Sequence, residues 1–345
     1  MKAGKSRWQA LALCALVSSS AMAASDAGDA TSKPALPQPD PALDVYAQAA
    51  RLVDIGGGRR LNLRCNGPEA ATTVVLEAGF GADSLSWSRL QPLLAGSMRV
   101  CSYDRAGYGF SDGGPLPRDI DAEVADLHAL VRAASLRAPF VLVGHSLGSN
   151  IARLYDRQHP QDVAALVLVD PPPQGIAAFS PEYQAREKAM LPQMLKAYRD
   201  CEQGAKAGTL AKDPPPELKA CLRGPDPRYS DRLNAAIRES KLRPGFWDTV
   251  ISGSEAKAAL FEPSVSGSER HGSKPLVVLS AVDAYAGAPP PIRDALQPAQ
   301  AATHRALVAT SSRGRLVEVK GSTHDIQMDQ PGIVADAVRS VIASP

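Results

Sequence analysis

One serine of this 345-residue chain has the surroundings of a nucleophile. The stretch VLVGHSLGSN, residues 141–150, contains Gly144-His145-Ser146-Leu147-Gly148 and fits the pattern G-x-S-x-G. An apolar run precedes this pattern, and the helical pattern LGSNIARLYDRQ follows it. A serine in a sharp strand-to-helix turn needs small residues two positions before and after it, because larger side chains would collide with neighbouring chain. We predict that Ser146 is a nucleophile at a helix N-terminus, where the helix dipole favours developing negative charge.

The histidine directly before this serine is a poor candidate for its base. The side chain of His145 should point away from that of Ser146 as the strand enters the turn. A base must reach the serine hydroxyl at hydrogen-bonding distance, and it usually comes from a residue far along the chain. We therefore predict a packing or supporting role for His145.

The segments around this turn alternate between short apolar runs and helical patterns, starting near residue 50. Continuous apolar runs in βαβα order are typical of a mostly parallel sheet with helices on both faces. Predicted strands cover 60–65, 72–78, 98–103, 139–144, 164–170, 274–282 and 315–321, and predicted helices cover 119–135, 146–158, 293–310 and the segment from about 332.

This alternation stops between residues 171 and 273. The sequence there is rich in charged residues and helix formers and has few β-branched runs. We interpret 171–273 as a helical cap over the end of the sheet, inserted between the two core segments 49–170 and 274–345. No internal repeat is visible.

Four stretches of the chain resemble the α/β-hydrolase family. LEAGFGADSLSW, 76–87, is similar to the family's loop after its third strand, and YDRAGYGFSD, 103–112, to its D-x-x-G-x-G-x-S segment. The nucleophile turn is the third stretch, and GSTHDIQMDQPGIV, 321–334, is similar to the family's terminal histidine loop. The resemblance covers most of residues 50–345 outside the insertion. It implies the α/β-hydrolase fold with a helical cap.

The resemblance also implies a base and two oxyanion donors. His324 is the expected base, because it lies in a loop after a strand at the same sheet edge as Ser146. The backbone amides of Phe80 and Leu147 are the expected donors to the oxyanion. Ala78 stands where many relatives have histidine, which leaves backbone donation intact.

The family places its acid at one of two positions, and the sequence has an aspartate near each. Asp283, after the strand that follows the cap, is the preferred candidate. Asp170, at the end of the strand that precedes the cap, is the alternative. The acid must orient the imidazole and stabilise its protonated form. We expect Asp104 to anchor its own loop.

Four cysteines remain once the first residues are set aside, and three pairings of them are possible. The family's sheet order puts Cys65 and Cys101 on neighbouring strands, while Cys201 and Cys221 both fall in the cap. We expect the disulfides Cys65–Cys101 and Cys201–Cys221.

The start of the chain is typical of an export signal. Residues 1–24 combine Lys2, Lys5 and Arg7 with an apolar stretch and a small-residue cleavage site after Ala23 or Ala24. Residues 25–48, rich in Pro, Ala and Asp, are predicted to be a flexible lead-in. We expect a periplasmic or secreted protein without a membrane span, because no other segment reaches transmembrane length.

These features predict an exported serine hydrolase that cleaves a carboxylic ester of a small-molecule acyl substrate. The formal net charge of +2 implies no nucleic-acid partner, no Cys/His spacing resembles a metal site, and no cofactor is expected. A proline-iminopeptidase-like aminopeptidase, which would want acidic cap residues such as Glu182, Glu187 or Glu202, and a carbon-carbon bond hydrolase remain open. Epoxide hydrolases and haloalkane dehalogenases carry aspartate at the position of Ser146, and a non-catalytic binding protein should have lost Ser146 or His324. The oligomeric state stays open.

Overall fold

The computed structural model describes residues 38–257, 260 and 265–343. The predicted signal peptide and residues 25–37 of the predicted lead-in lie outside the described residues. Across the described residues, eight strands form one sheet in the order β1-β2-β4-β3-β5-β6-β7-β8. The strands are β1 (Arg51–Asp54), β2 (Arg60–Asn66), β3 (Thr73–Glu77), β4 (Arg99–Tyr103), β5 (Phe140–His145), β6 (Val163–Val169), β7 (Leu276–Ala281) and β8 (Gly314–Val319).

The sheet is parallel from β4 to β8, and the hairpin of β1 and β2 joins it antiparallel at one edge. All residues of β3, β5 and β7 are buried, which is the pattern of strands covered on both faces. The carboxyl ends of β3, β5, β6, β7 and β8 meet at one edge of the sheet, where ligands bind in folds of this kind.

Helices cover both faces of the sheet, as the sequence predicts. Two separate apolar clusters result, one packed around Leu127, Ile151 and Tyr155 and the other around Trp87, Leu90 and Val338. The helices of the core are α1 (Gln91–Ala95), α2 (Ile120–Ala133), α3 (Leu147–Gln158), α7 (Pro290–Val308), α8 (Ile326–Asp329) and α9 (Pro331–Ile342).

Three longer helices lie between β6 and β7, in the predicted cap: α4 (Pro181–Lys206), α5 (Asp231–Leu242) and α6 (Pro244–Glu255). Ser180 and Ser230 cap α4 and α5 by accepting hydrogen bonds from the backbone amides of Tyr183 and Leu233. The cap has an apolar cluster of its own, in which Phe246 and Trp247 are buried. These two aromatic residues are therefore core residues of the cap.

Both expected disulfides are present. Cys65 and Cys101 lie directly opposite each other on β2 and β4 and form the first bond. Cys201 of α4 bonds to Cys221 at the end of a 3₁₀ helix, Pro216–Cys221, within the cap. The predicted pairing is confirmed.

Part of the predicted lead-in is ordered, which corrects the prediction for residues 41–47. Pro41–Ala47 forms a 3₁₀ helix whose N-cap, Asp40, accepts a hydrogen bond from the amide of Ala42. Polar contacts join this segment to the cap: Asp40 donates its amide to the carbonyl of Arg228, and Ser230 donates to Asp44. The helix has no buried residue, so apolar periodicity could not indicate it.

No helix within the described ranges combines the length and apolar character needed to cross a bilayer.

Candidate active site

The turn at Ser146 has the strained geometry that the sequence predicts. Ser146 directly follows β5 and precedes α3, and its backbone has φ 52° and ψ −123°. L-residues avoid this conformation, so surrounding contacts must hold it. The amide of Ser146 donates to the carbonyl of Val169 at 3.0 Å, which fixes the turn against the end of β6.

Glycine is required on both sides of this turn. A Cβ atom at Gly144 would lie 2.3 Å from the carbonyl oxygen of Gly148. A Cβ atom at Gly148 would lie 2.3 Å from the carbonyl oxygen of Glu77 and 2.7 Å from that of Ala78. These are backbone atoms, so no side-chain rotation relieves either contact. Gly144 therefore permits the close approach of α3 to its own strand β5, and Gly148 permits the close approach of α3 to the end of β3.

Asp170 lies beside this turn, at the end of the neighbouring strand β6, and also has a positive φ, of 44°. Its carboxylate is fully buried. Oδ1 accepts hydrogen bonds from the amide of Ala281 and from Nε2 of Gln300, both at 2.9 Å. Oδ2 lies 2.6 Å from Nδ1 of His324. Burial of this charge is tolerable because each carboxylate oxygen has a partner.

His324 lies in the loop between β8 and α8. Thr323 anchors the loop through its amide, which donates to Asp329 at 2.8 Å. Burial lowers the pKa of His324, but the hydrogen bond to Asp170 and the charges of Asp170 and Asp325 outweigh it, so the pKa lies above the ordinary 6.5. Because Nδ1 faces Asp170, Nε2 is the nitrogen available for proton transfer.

The expectation that Asp283 is the carboxylate partner of His324 is wrong in this structure. Asp283 lies two residues beyond the end of β7 and accepts a hydrogen bond from the amide of Gly321 at 2.8 Å. It therefore contacts the backbone of the histidine loop, whereas Asp170, the alternative, contacts the imidazole. Asp325, next to His324 in sequence, lies 3.6 Å from Nε2 of His145.

His145 contacts the histidine loop rather than the serine. Its Nε2 lies 3.1 Å from the carbonyl oxygen of His324, and the two rings lie with centroids 4.7 Å apart. Burial and the nearby charge of His324 hold the pKa of His145 well below 6.5. A neutral His145 therefore donates Nε2–H to this carbonyl and joins the turn at Ser146 to the loop of His324. The sequence suggested a supporting role without showing this contact.

The two predicted oxyanion donors lie on either side of the turn. Leu147 is the first residue of α3, where a backbone N–H has no acceptor within the helix. Phe80 follows Gly79 in the loop after β3, and a Cβ atom at Gly79 would lie 3.3 Å from Cβ of Ser146. Gly79 and the peptide that follows it thus border Ser146.

Asp104 anchors two loops. Its Oδ2 accepts hydrogen bonds from Nδ2 of Asn62 and the amide of Phe110, and its Oδ1 accepts one from the amide of Ser84. The expected anchor of the D-x-x-G-x-G-x-S segment therefore also binds the loop that follows β3.

A possible metal-binding group lies far from this site. Within the part of the chain that the structure describes, His128, His159 and Asp162 offer ligand atoms within 4.8 Å of one another. The two imidazole rings stack, with centroids 3.8 Å and planes 7° apart. An ion must lie near the plane of each ring that binds it, and stacked rings do not share a plane. His159 follows α3, so the group lies about 18 Å from Ser146, one helix length away.

The sequence pointed to most of this constellation. Two residues that contact the site gave no signal of their own in the sequence. Gln300, inside α7, donates to Asp170. Arg105, inside the D-x-x-G-x-G-x-S segment, donates to the carbonyls of Ala78 and Gly79. The position of Arg105 within a motif could have indicated it, whereas Gln300 is one of several polar residues on its helix.

The chain belongs to the alpha/beta hydrolase family, whose sequence pattern matches residues 74–337. The expected family is thereby confirmed.

Three known proteins illustrate the range of relatives. The chain is 33% identical over 111 residues to the uncharacterized protein YqjL of Bacillus subtilis (strain 168), a match that covers 32% of this chain and 44% of YqjL. The chain thus spans less than half the length of this relative. The thermophilic esterase of Thermogutta terrifontis, solved with malate bound, has 21% identity and a TM-score of 0.55, covering 86% of this chain and 98% of that one. The epoxide hydrolase CorEH, solved without ligand, has 17% identity and a TM-score of 0.58, covering 84% and 97%. At these identities the two structures show a shared fold.

The tight contact at Gly148 predicts a stability loss on substitution. Gly148→Ala should lower the free energy of unfolding by about 1–3 kcal/mol, because the new methyl group displaces backbone. Gly96→Ala is the matched control: no atom lies within 4 Å of its Cβ position and its φ is −67°. The control should be neutral or slightly stabilising. Urea unfolding of both variants tests this, and equal effects would contradict it.

The contact between Asp170 and His324 predicts that the pKa of the His324 imidazole depends on the charge of Asp170. We expect NMR to give His324 a pKa above 6.5 in the unsubstituted protein. Asp170→Asn removes the charge that raises this pKa while burial still lowers it, so the pKa should fall below 6.5. Asp283→Asn is the control and should leave it nearly unchanged. The opposite pattern would assign the role of partner to Asp283.

Proposed function

We propose that this protein is an exported serine hydrolase that cleaves carboxylic esters. Ser146 is the nucleophile, His324 the base, Asp170 the acid, and the amides of Phe80 and Leu147 hold the oxyanion. The observation that carries the proposal is the pairing of His324 with buried Asp170 beside a serine in a strained strand-to-helix turn. Nucleophile, base and orienting carboxylate thereby share one sheet edge.

The reaction has two halves. Ser146 Oγ attacks the acyl carbon while Nε2 of His324 takes its proton, and the carbonyl oxygen becomes an oxyanion. Asp170 stabilises the imidazolium through Nδ1. His324 then protonates the departing alkoxide, which leaves an acyl-enzyme on Ser146. Water, deprotonated by His324, attacks the acyl carbon, and His324 returns the proton to Ser146 Oγ as the carboxylic acid leaves.

The charges on the cap favour an ester over a peptide with a free amino terminus. An aminopeptidase would need an acidic cap residue left available for the substrate amine. Glu187 lies 2.6 Å from Nζ of Lys257, and Glu202 pairs with Lys206. Glu182 is exposed in the first turn of α4. Two of the three candidate carboxylates are therefore already paired with a lysine.

The likeness to an epoxide hydrolase structure does not extend to the nucleophile. The family resemblance assigns aspartate to the nucleophile position of epoxide hydrolases, and this chain has Ser146 there. A serine alkoxide suits acyl transfer, since its acyl-enzyme is readily cleaved by water. This supports an ester-cleaving reaction.

Two features support export to the periplasm or secretion into the medium. The basic start, apolar stretch and small residues before Ser25 are typical of a secretory signal. The two disulfides, one in the core and one in the cap, are of the kind that persists in oxidising compartments.

Fluorophosphonate labelling of the purified protein tests the mechanism. We expect covalent labelling of the unsubstituted protein and none of Ser146→Ala, because the probe reacts with an activated serine. Asp170→Asn should lower kcat by roughly 10⁴-fold, since the imidazole loses its orienting charge. Asp283→Asn, the matched change at the carboxylate that binds the amide of Gly321, should change kcat only slightly.

Substrate panels separate the alternatives. p-Nitrophenyl esters of increasing chain length should be hydrolysed, and aminoacyl p-nitroanilides should not. Preferred cleavage of anilides would favour the aminopeptidase. Labelling that persists in Ser146→Ala, or its absence in the unsubstituted protein, would overturn the proposed mechanism.

Cell fractionation and N-terminal mass spectrometry test export. We expect a mature chain that begins after Ala23 or Ala24 in the periplasm or medium, with peptides that recover both disulfides under non-reducing conditions. A cytoplasmic chain that retains Met1, or free thiols at Cys65 and Cys101, would contradict the proposal.

A further inference from the structure

We propose that Arg105 is a positioning residue for acyl transfer. Its guanidinium orients the Gly79–Phe80 peptide so that the Phe80 amide faces the oxyanion. This inference rests on the proposed function, because an oxyanion forms only if Ser146 attacks an acyl carbon.

Arg105 binds the backbone of residues 78–84, the segment that follows β3 and is called the oxyanion loop below. Its side chain is buried, with 2% exposed. Nη1 donates to the carbonyl of Ala78 and Nη2 to the carbonyl of Gly79, each at 2.5 Å. A single planar guanidinium therefore holds two successive carbonyls, at the point where the chain leaves β3 and passes Ser146.

The direction of the Phe80 amide follows from the direction of the Gly79 carbonyl. In a planar trans peptide the C=O of one residue and the N–H of the next point to opposite sides. With the Gly79 carbonyl bonded to Arg105, the Phe80 N–H points away from Arg105. Gly79 itself borders Ser146, since its Cβ position lies 3.3 Å from Cβ of Ser146. The contact between Arg105 and the Gly79 carbonyl thus fixes the direction in which the Phe80 N–H points.

The charge of Arg105 also strengthens this donor. A charged group bonded to a carbonyl polarises the peptide and makes its N–H a better donor. Preorganised donors of this kind stabilise the transition state more than the substrate, because the negative charge is fully developed only there. Loss of the contact should therefore lower kcat and leave KM nearly unchanged.

Buried carboxylates fix Arg105 in place. Nη1 also donates to Glu77 Oε1 at 2.6 Å, and Nε lies 3.8 Å from Oε2 of Glu123. Tyr103 donates its hydroxyl to the second oxygen of Glu77. Glu77 is the last residue of β3, so the sheet itself holds the guanidinium. A lysine would keep the charge but could not reproduce this planar set of contacts.

A second buried arginine provides a matched control. Arg118 is also 2% exposed and belongs to the same charge network, in which it contacts Glu123 and Asp126. Its described hydrogen bonds go to these carboxylates and to Ser252, not to the carbonyls of residues 78–80. Arg118→Lys therefore disturbs the network without touching the oxyanion loop.

The experiment compares Arg105→Lys with Arg118→Lys in the full-length protein. We expect Arg105→Lys to lower kcat for p-nitrophenyl acetate by roughly 10²-fold, as when one oxyanion donor is lost, with KM little changed. The second-order rate of fluorophosphonate labelling at Ser146 should fall in parallel. The acid limb of the pH profile should not move, because His324 and Asp170 keep their contacts. Arg118→Lys should change kcat only slightly.

Several outcomes would overturn the inference. Equal losses of kcat in the two variants, or a raised KM with unchanged kcat in Arg105→Lys, would leave Arg105 a structural role only. If Arg105→Lys does not fold, Glu77→Gln carries the test, since it removes the charge that holds the guanidinium against the carbonyls of Ala78 and Gly79. It should lower kcat with little change in KM, and an unchanged kcat would overturn the inference.

The labelling experiment separates failure of this inference from failure of the proposed function. Unsubstituted protein that does not react with the fluorophosphonate would overturn the proposed function and this inference with it. A reactive protein whose Arg105→Lys variant is equally reactive would overturn this inference alone.

Discussion

The carboxylate of Asp170 is the point on which the site and the fold both depend. It is fully buried, and its hydrogen bonds come from the amide of Ala281, from Gln300 and from His324. A buried charge without partners would cost several kcal/mol, so these three groups must be in place whenever the protein is folded. The end of β7, the helix α7 and the histidine loop are thereby aligned against the end of β6. The same side chain, Asp170, is therefore needed both for this sheet edge to fold correctly and for the imidazole of His324 to be oriented.

The opposite side of Ser146 is organised by a second set of buried charges. Glu77 and Arg105 bind each other beneath the oxyanion loop, and Asp104 binds the amide of Ser84 further along the same loop. Neutral His145 joins the two sides, because its Nε2–H donates to the carbonyl of His324 while its own backbone belongs to β5. A protonated His145 would repel a protonated His324, whose ring centroid lies 4.7 Å away. Its lowered pKa therefore suits its position.

Apolar pattern and motif context predicted most of the core. The ends of the predicted strands agree with β2 to β8 within about two residues. The buried strands β3, β5 and β7 leave continuous apolar runs, which are the clearest signal. The four-residue edge strand β1 and the helix Pro41–Ala47 escaped prediction because neither sequence contains a continuous apolar run. The acid could not be assigned because Asp170 and Asp283 have similar local sequence settings. The choice depends on where each strand ends in space: Asp170 directly follows β6, whereas Asp283 lies beyond β7 and reaches only the backbone of Gly321.

The loop after β4 connects the cap to this chemistry. Arg243 at the start of α6 donates to the carbonyls of Gly109 and Ser111, and the ring of Tyr108 packs in the apolar cluster of the cap. A few residues earlier, the same loop carries Arg105 to the carbonyl of Gly79. A change in how the cap packs must therefore act on the segment that orients the oxyanion loop. The D-x-x-G-x-G-x-S segment thus contacts both the cap and the loop that follows β3, and it couples the position of one to that of the other.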